Sequence, residues 1–154
     1  MNMVRLNLNL LVFILTTTIS FYAYGQNNVN LIIFINDEIV TSSLGLTFNN
    51  NISQREYKVS YYPGKEIETV NNDIFKEDVF LKFNYQGFDE NRKIKSYNYN
   101  IPLVKGLFYD TNYLIVKIYN LDIKRYKKRY CKFKDDYVVE FKNRRYYQDI
   151  VQCK

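Results

Sequence analysis

Cys131 and Cys153 are the only cysteines in the 154-residue chain, and no histidine accompanies them. An even pair in an oxidising compartment forms a disulfide more often than anything else. Closing the 22 residues that separate the two would stabilise the fold by ~3 kcal/mol in a relaxed geometry. Catalytic redox pairs sit two residues apart, and two thiolates without histidine make a poor zinc site, so a structural bridge is expected. The missing histidine also removes the commonest general base near neutral pH. Ser–His–Asp, Cys–His and histidine-ligated metal chemistry go with it. Carboxylate chemistry survives. Glu66 and Glu68 share one face of an extended segment, while Asp89-Glu90 and Asp135-Asp136 fall in expected turns. A glycosidase needs two acids facing each other across a cleft ~5–10 Å wide, which spacing in sequence does not show, and exposed turn acids are nearly always simply solvated. Nor is there an EF-hand run of alternating Asp and Asn ending in Glu. The expectation is a protein with no catalytic residue, no cofactor and no metal.

A second constellation is basic. Of the net charge of +6, residues 117–154 carry twelve Lys or Arg against five Asp or Glu, and residues 26–116 carry nine against eleven. The densest stretch interleaves Lys124, Arg125, Lys127, Lys128, Arg129 and Lys132 with Tyr126 and Tyr130, and Arg144-Arg145 repeats the pattern. These ten residues form a candidate partner surface. In a cytosolic protein, cations mixed with aromatic rings suggest nucleic acid. An exported protein seldom meets nucleic acid, so an acidic protein or an anionic envelope polymer is the expected partner. A solvated outer face accounts for the same residues, because lysines on edge strands discourage edge-to-edge association. Tyrosine poses the same choice. Fourteen of the sixteen lie beyond residue 25, where they either pack a core or anchor an interface.

Export is read from the first 25 residues. Arg5 sits in a polar leader, Leu10–Phe21 is a mostly apolar run of twelve, and Ala23 and Gly25 place small residues before Gln26. That is the pattern of a cleaved signal peptide. Twelve residues are too few for a membrane span, which needs about 20. The domain expected is therefore residues 26–154, periplasmic or extracellular, with no membrane span.

The elements that must position these residues are strands. Val29–Ile35 is apolar but for Asn30, as in a strand covered on both faces. Apolar residues recur at every second position at Tyr57, Val59 and Tyr61, at Val79, Leu81, Phe83 and Tyr85, at Tyr97, Tyr99 and Ile101, and at Tyr137, Val139 and Phe141, while Leu114, Val116 and Ile118 share one face. Between them, Tyr62-Pro63-Gly64-Lys65 suits a type II turn. Asn49–Asn51 and Gly87–Asn91 suit reversals, and Asp135-Asp136 could close a hairpin of Cys131–Lys134 with Tyr137–Phe141, turning Cys131 inward. Leu121–Tyr130 reads as a loop or a short helix, with Tyr126 and Tyr130 four apart. The fold class is an all-β, antiparallel sandwich of about seven to nine strands. Its rhythm resembles immunoglobulin-like or transthyretin-like exported sandwiches in pattern, without the tryptophan and long cysteine spacing of antibody domains. The functional expectation is a non-catalytic interaction module of the envelope or extracellular space. A secreted inhibitor or immunity-type protein, or a carbohydrate-binding or carboxylate-dependent carbohydrate-acting protein, are the alternatives.

Overall fold

The computed structural model describes residues 28–50, 52–69, 73–108 and 111–144. Nine strands run through them: β1 Asn28–Ile35, β2 Glu38–Ile39, β3 Leu44–Asn49, β4 Glu56–Tyr61, β5 Lys65–Glu68, β6 Val79–Phe88, β7 Ile94–Leu103, β8 Tyr113–Asn120 and β9 Tyr137–Lys142. One short helix, α1, covers Lys124–Arg129, and two single 3-10 turns cover Asp73–Lys76 and Lys105–Phe108. The chain is thus all-β in two sheets. The first has the order β2-β1-β8-β9 with β5 also on β1, and the second the order β4-β3-β6-β7. No helix among the described residues is long and apolar enough to cross a membrane.

Alternation in sequence becomes alternation in burial. Leu31 and Ile33 on β1, Leu46 and Phe48 on β3, Leu81 on β6, Ile101 on β7, and Leu114 and Val116 on β8 meet in one apolar cluster. Strand β3 obeys the same rule, with Leu44, Leu46 and Phe48 buried. Tyrosine hydroxyls tie the two sheets, Tyr61 among them. Tyr61, fully buried at the end of β4, accepts the Ile33 N–H at 3.0 Å. That N–H lies where β5 stops pairing with β1 at Leu31 and β2 starts at Phe34. A buried backbone donor left open there would cost about 1–3 kcal/mol.

Turn chemistry is local. Lys65 N–H donates to the Tyr62 carbonyl and Gly64 has φ of 75°, as a type II turn requires. Asn36 and Asp37 both have positive φ, 55° and 69°, and form a two-residue hairpin between β1 and β2. The Asp89 carboxylate accepts the Asn91 and Lys93 N–H groups at the tip of the β6–β7 hairpin.

Two expectations are corrected. The pairing is not wholly antiparallel, because β1 and β8 run parallel from Asn30↔Tyr113 to Ile35↔Ile118. Parallel strands want apolar cover on both faces. Here the outward Ile32, Phe34 and Ile115 are half-buried as well as the inward residues being buried. The hairpin of Cys131–Lys134 with Tyr137–Phe141 does not form. The chain leaves α1 through tight turns, with Tyr130 N–H on the Tyr126 carbonyl and Phe133 N–H on the Tyr130 carbonyl. Cys131 and Phe133 are consequently exposed, and β9 pairs with β8 instead.

Candidate functional site

The β1–β2 turn, the tip of the β6–β7 hairpin and the β8–β9 connection meet at one end of the molecule. Helix α1 belongs to that connection and lies over the outer face of the first sheet. Its six residues are too few to stand alone in water, and Ile123 at its N-terminus supplies no side-chain cap. Packing holds it. Tyr126 and Tyr130, one turn apart, are buried with Tyr119, Leu121 and Val138 in a second apolar cluster. Tyr126 donates to Asp37 at 2.9 Å and Tyr130 donates to Glu140 at 2.8 Å. Tyr119 donates to the other Glu140 oxygen at 3.2 Å.

Burial, reinforced by the hydrogen bond to Asp37, pushes the Tyr126 hydroxyl up to about 12. Burial and the Glu140 hydrogen bond do the same for Tyr130, also to about 12. Burial, with the Glu140 charge behind it, holds Tyr119 still higher. All three are neutral donors at physiological pH.

This arrangement divides the ten residues of the basic candidate surface. Tyr126 and Tyr130 are core residues, not part of any surface. Arg125 lies over the Tyr126 ring at 4.5 Å and donates to that hydroxyl and to the Asn36 carbonyl. Arg129 lies over the Tyr130 ring at 6.0 Å. Lys124 reaches the hairpin tip, its backbone N–H donating to Glu90 and its ammonium 4.0 Å from the same carboxylate. Lys127, Lys128 and Lys132 are exposed and make no ion pair among the described residues. Arg144 is exposed beyond β9, far along the chain from α1, and Arg145 lies outside the described residues. So do Cys153 and residues 1–25, which leaves the bridge and the signal peptide without a structural description. No free cysteine stands among the described residues.

The feature that composition did not reveal is a cleft of about 690 Å³ beside α1. Strand β7 forms one wall from Lys95 to Tyr99. Asn120, Leu121 and Asp122 form the floor, and Phe133–Tyr137 with Lys127 form the other wall. Asp122 accepts from Lys95 at 2.6 Å and from Tyr97 at 3.2 Å. That hydrogen bond holds the Lys95 ammonium above its ordinary value. Burial first, then the Asp122 charge, pushes Tyr97 up to about 12. Deeper in, Tyr99 donates to the Asn120 side-chain Oδ1 at 2.9 Å, while the buried Asn120 Nδ2 has no partner among the described residues.

Strand β7 is the edge of its sheet, so one side of its backbone faces this cleft. Asn100 shows which groups point outward. Its N–H donates to the Tyr137 hydroxyl and its carbonyl accepts from it, both at 2.9 Å. Hydrogen-bonded and open pairs alternate along an antiparallel ladder. The register Lys82↔Asn100, Asn84↔Asn98, Gln86↔Ser96 therefore turns the peptide groups of Asn98 and Ser96 outward too. Tyr137 closes the edge at Asn100, and no described residue closes it at Asn98 or Ser96.

The acidic pairs stay apart. Glu66 and Glu68 are exposed on β5, where Glu66 accepts from Asn28. Asp89 and Glu90 serve the hairpin tip, and Asp135 and Asp136 line the cleft next to Lys134. No group of three or more potential metal ligands occurs among the described residues. No protein-family model, curated protein or solved structure matches the chain.

Proposed function

We propose that the protein is exported after removal of residues 1–25, and that residues 26–154 act in the periplasm or outside the cell. On this reading they form a β-sandwich of immunoglobulin-like or transthyretin-like pattern, with a Cys131–Cys153 bridge. Its role is that of a non-catalytic interaction module that receives a short extended segment of a partner protein along β7. One observation carries the reading: the open peptide groups of Ser96 and Asn98 face a cleft walled by Tyr97, Phe133 and Tyr137. Strand addition gives affinity through main-chain hydrogen bonds and specificity through flanking pockets. Four such bonds at about 0.5–1.5 kcal/mol each supply about 2–6 kcal/mol. Alone that is only ~1 mM affinity, so contacts with the aromatic wall must add the rest. The cleft mixes Lys95, Lys127 and Lys134 with Asp122, Asp135 and Asp136, which suits a zwitterionic or neutral segment better than a purely acidic one.

A display library of short random peptides tests this. Selected binders should lose affinity at least tenfold against Ser96→Pro, because proline removes an outward N–H at an edge position that tolerates it. Binders indifferent to Ser96→Pro would place the contact elsewhere.

A further inference from the structure

The outer face of the β3-β6-β7 sheet holds a second set of unspent groups. The outward side chains of β6 and β7 stand in directly opposed pairs: Lys82 with Asn100, Asn84 with Asn98, Gln86 with Ser96, and Phe88 with Ile94. All are exposed. These are the open pairs of the ladder, whose side chains approach most closely. Asn84, Gln86, Ser96 and Asn98 make no side-chain hydrogen bond within the described protein. Beside them β3 contributes Thr47 and Gly45, which with Lys82, Asn84, Asn98 and Asn100 line an open hollow of about 460 Å³. A Cβ at Gly45 would meet nothing within 4 Å. At the far end Phe88 and Ile94 are 66% and 74% exposed.

We propose that this face binds a neutral polysaccharide chain lying along β6 and β7. An amide offers both donors and acceptors, which matches hydroxyl groups that also do both. Opposed amides at adjacent rungs can address neighbouring hydroxyls of one sugar ring. The Phe88 ring supplies an apolar platform for the C–H face of another. Phe88 lies four residues from Asn84, ~13 Å along the strand, so the ligand is an oligomer rather than a single sugar. Lys82 is the sole charge among these side chains. An acidic polymer would want several cations, but Lys58, the cation beside Thr47, is paired with Glu56 at 3.1 Å, and the densest run of cations, 124–134, lies on and around α1.

Native electrophoresis in gels containing β-glucan, mannan or xylan, with alginate as the anionic comparison, tests the proposal. At least one neutral polymer should retard the protein, and added salt should not release it. Asn84→Ala/Asn98→Ala and Phe88→Ala should each weaken binding at least tenfold. Gly45→Leu pushes a side chain into the hollow from another strand and should do the same, with unchanged thermal melting showing that each variant folds. The proposal fails if no neutral polymer retards the protein. It also fails if retardation survives all three variants, or if only alginate binds and salt abolishes it.

Discussion

Replacing Tyr130 by phenylalanine removes one hydroxyl from a ring with no exposed surface. That hydroxyl donates to Glu140 at 2.8 Å, and hydrogen bonds to charged groups contribute about 1.5–3 kcal/mol. Glu140 is half-buried and keeps its contact with Tyr119, so the low end applies and the expected loss is about 1.5 kcal/mol. For a domain of this size that lowers Tm by about 5 °C. Tyr130→Ala removes the ring as well, opens a cavity and should cost about 3–5 kcal/mol. The loss should fall first on α1, which is too short to persist undocked. Urea unfolding followed by far-ultraviolet circular dichroism measures both variants, and Glu140→Gln combined with Tyr130→Phe gives the coupling between the partners. If Tyr130→Phe and Tyr130→Ala both stay within about 0.5 kcal/mol of the parent, typical of surface changes, the docking of α1 by its tyrosines is refuted.

Three other outcomes are expected. Tyr97, Tyr126 and Tyr130 are raised from 10.0 to about 12, so their neutral forms favour the fold. Their contribution is complete below pH 10 and is lost as pH climbs through about 12; stability that instead rises across this window would contradict it. Tyr137→Phe should cost about 1 kcal/mol by stripping Asn100 of both hydrogen bonds to that hydroxyl, and sedimentation should show more self-association along the lengthened edge. Lys127→Ala/Lys128→Ala/Lys132→Ala should leave stability within about 0.5 kcal/mol, whereas Arg125→Ala should lose about 0.5–1 kcal/mol with its place on the Tyr126 ring. Equal losses from both would mean that the cations do not divide into exposed and stacked sets.

The strands were legible because burial on one face enforces a period of two, as in Tyr97, Tyr99 and Ile101 against Asn98 and Asn100. Gly64 was legible for a similar reason, since its turn needs positive φ. Strands β2, β3 and β5 were missed: β2 and β5 have two and four residues and pair, among the described residues, only with β1, while β3 was missed although Leu44, Leu46 and Phe48 alternate. The parallel β1–β8 pair was hidden because apolar content does not encode strand direction. Lys132-Phe133-Lys134 alternates like a strand, yet turns at Tyr130 and Phe133 carry it to the surface. The basic cluster was visible as composition, but its division was not. Spacing four apart fitted Tyr126 and Tyr130 to one helical face, whereas only tertiary packing decides that this face points inward. The cleft was invisible for a stronger reason. Its open edge follows from β7 having no outer neighbour among the described residues, a property of strand order that no local run encodes.

The most direct measurement is the backbone amide spectrum of the protein titrated with a selected extended peptide, together with hydrogen exchange at Ser96 and Asn98. Those two amides face outward with no partner among the described residues, so they should exchange fast in the free protein and become protected at saturation. Asn100 is already held by Tyr137 and should change little. Protection confined to α1 or the hairpin tip, with Ser96 and Asn98 still exchanging freely in the saturated complex, would contradict strand addition along β7.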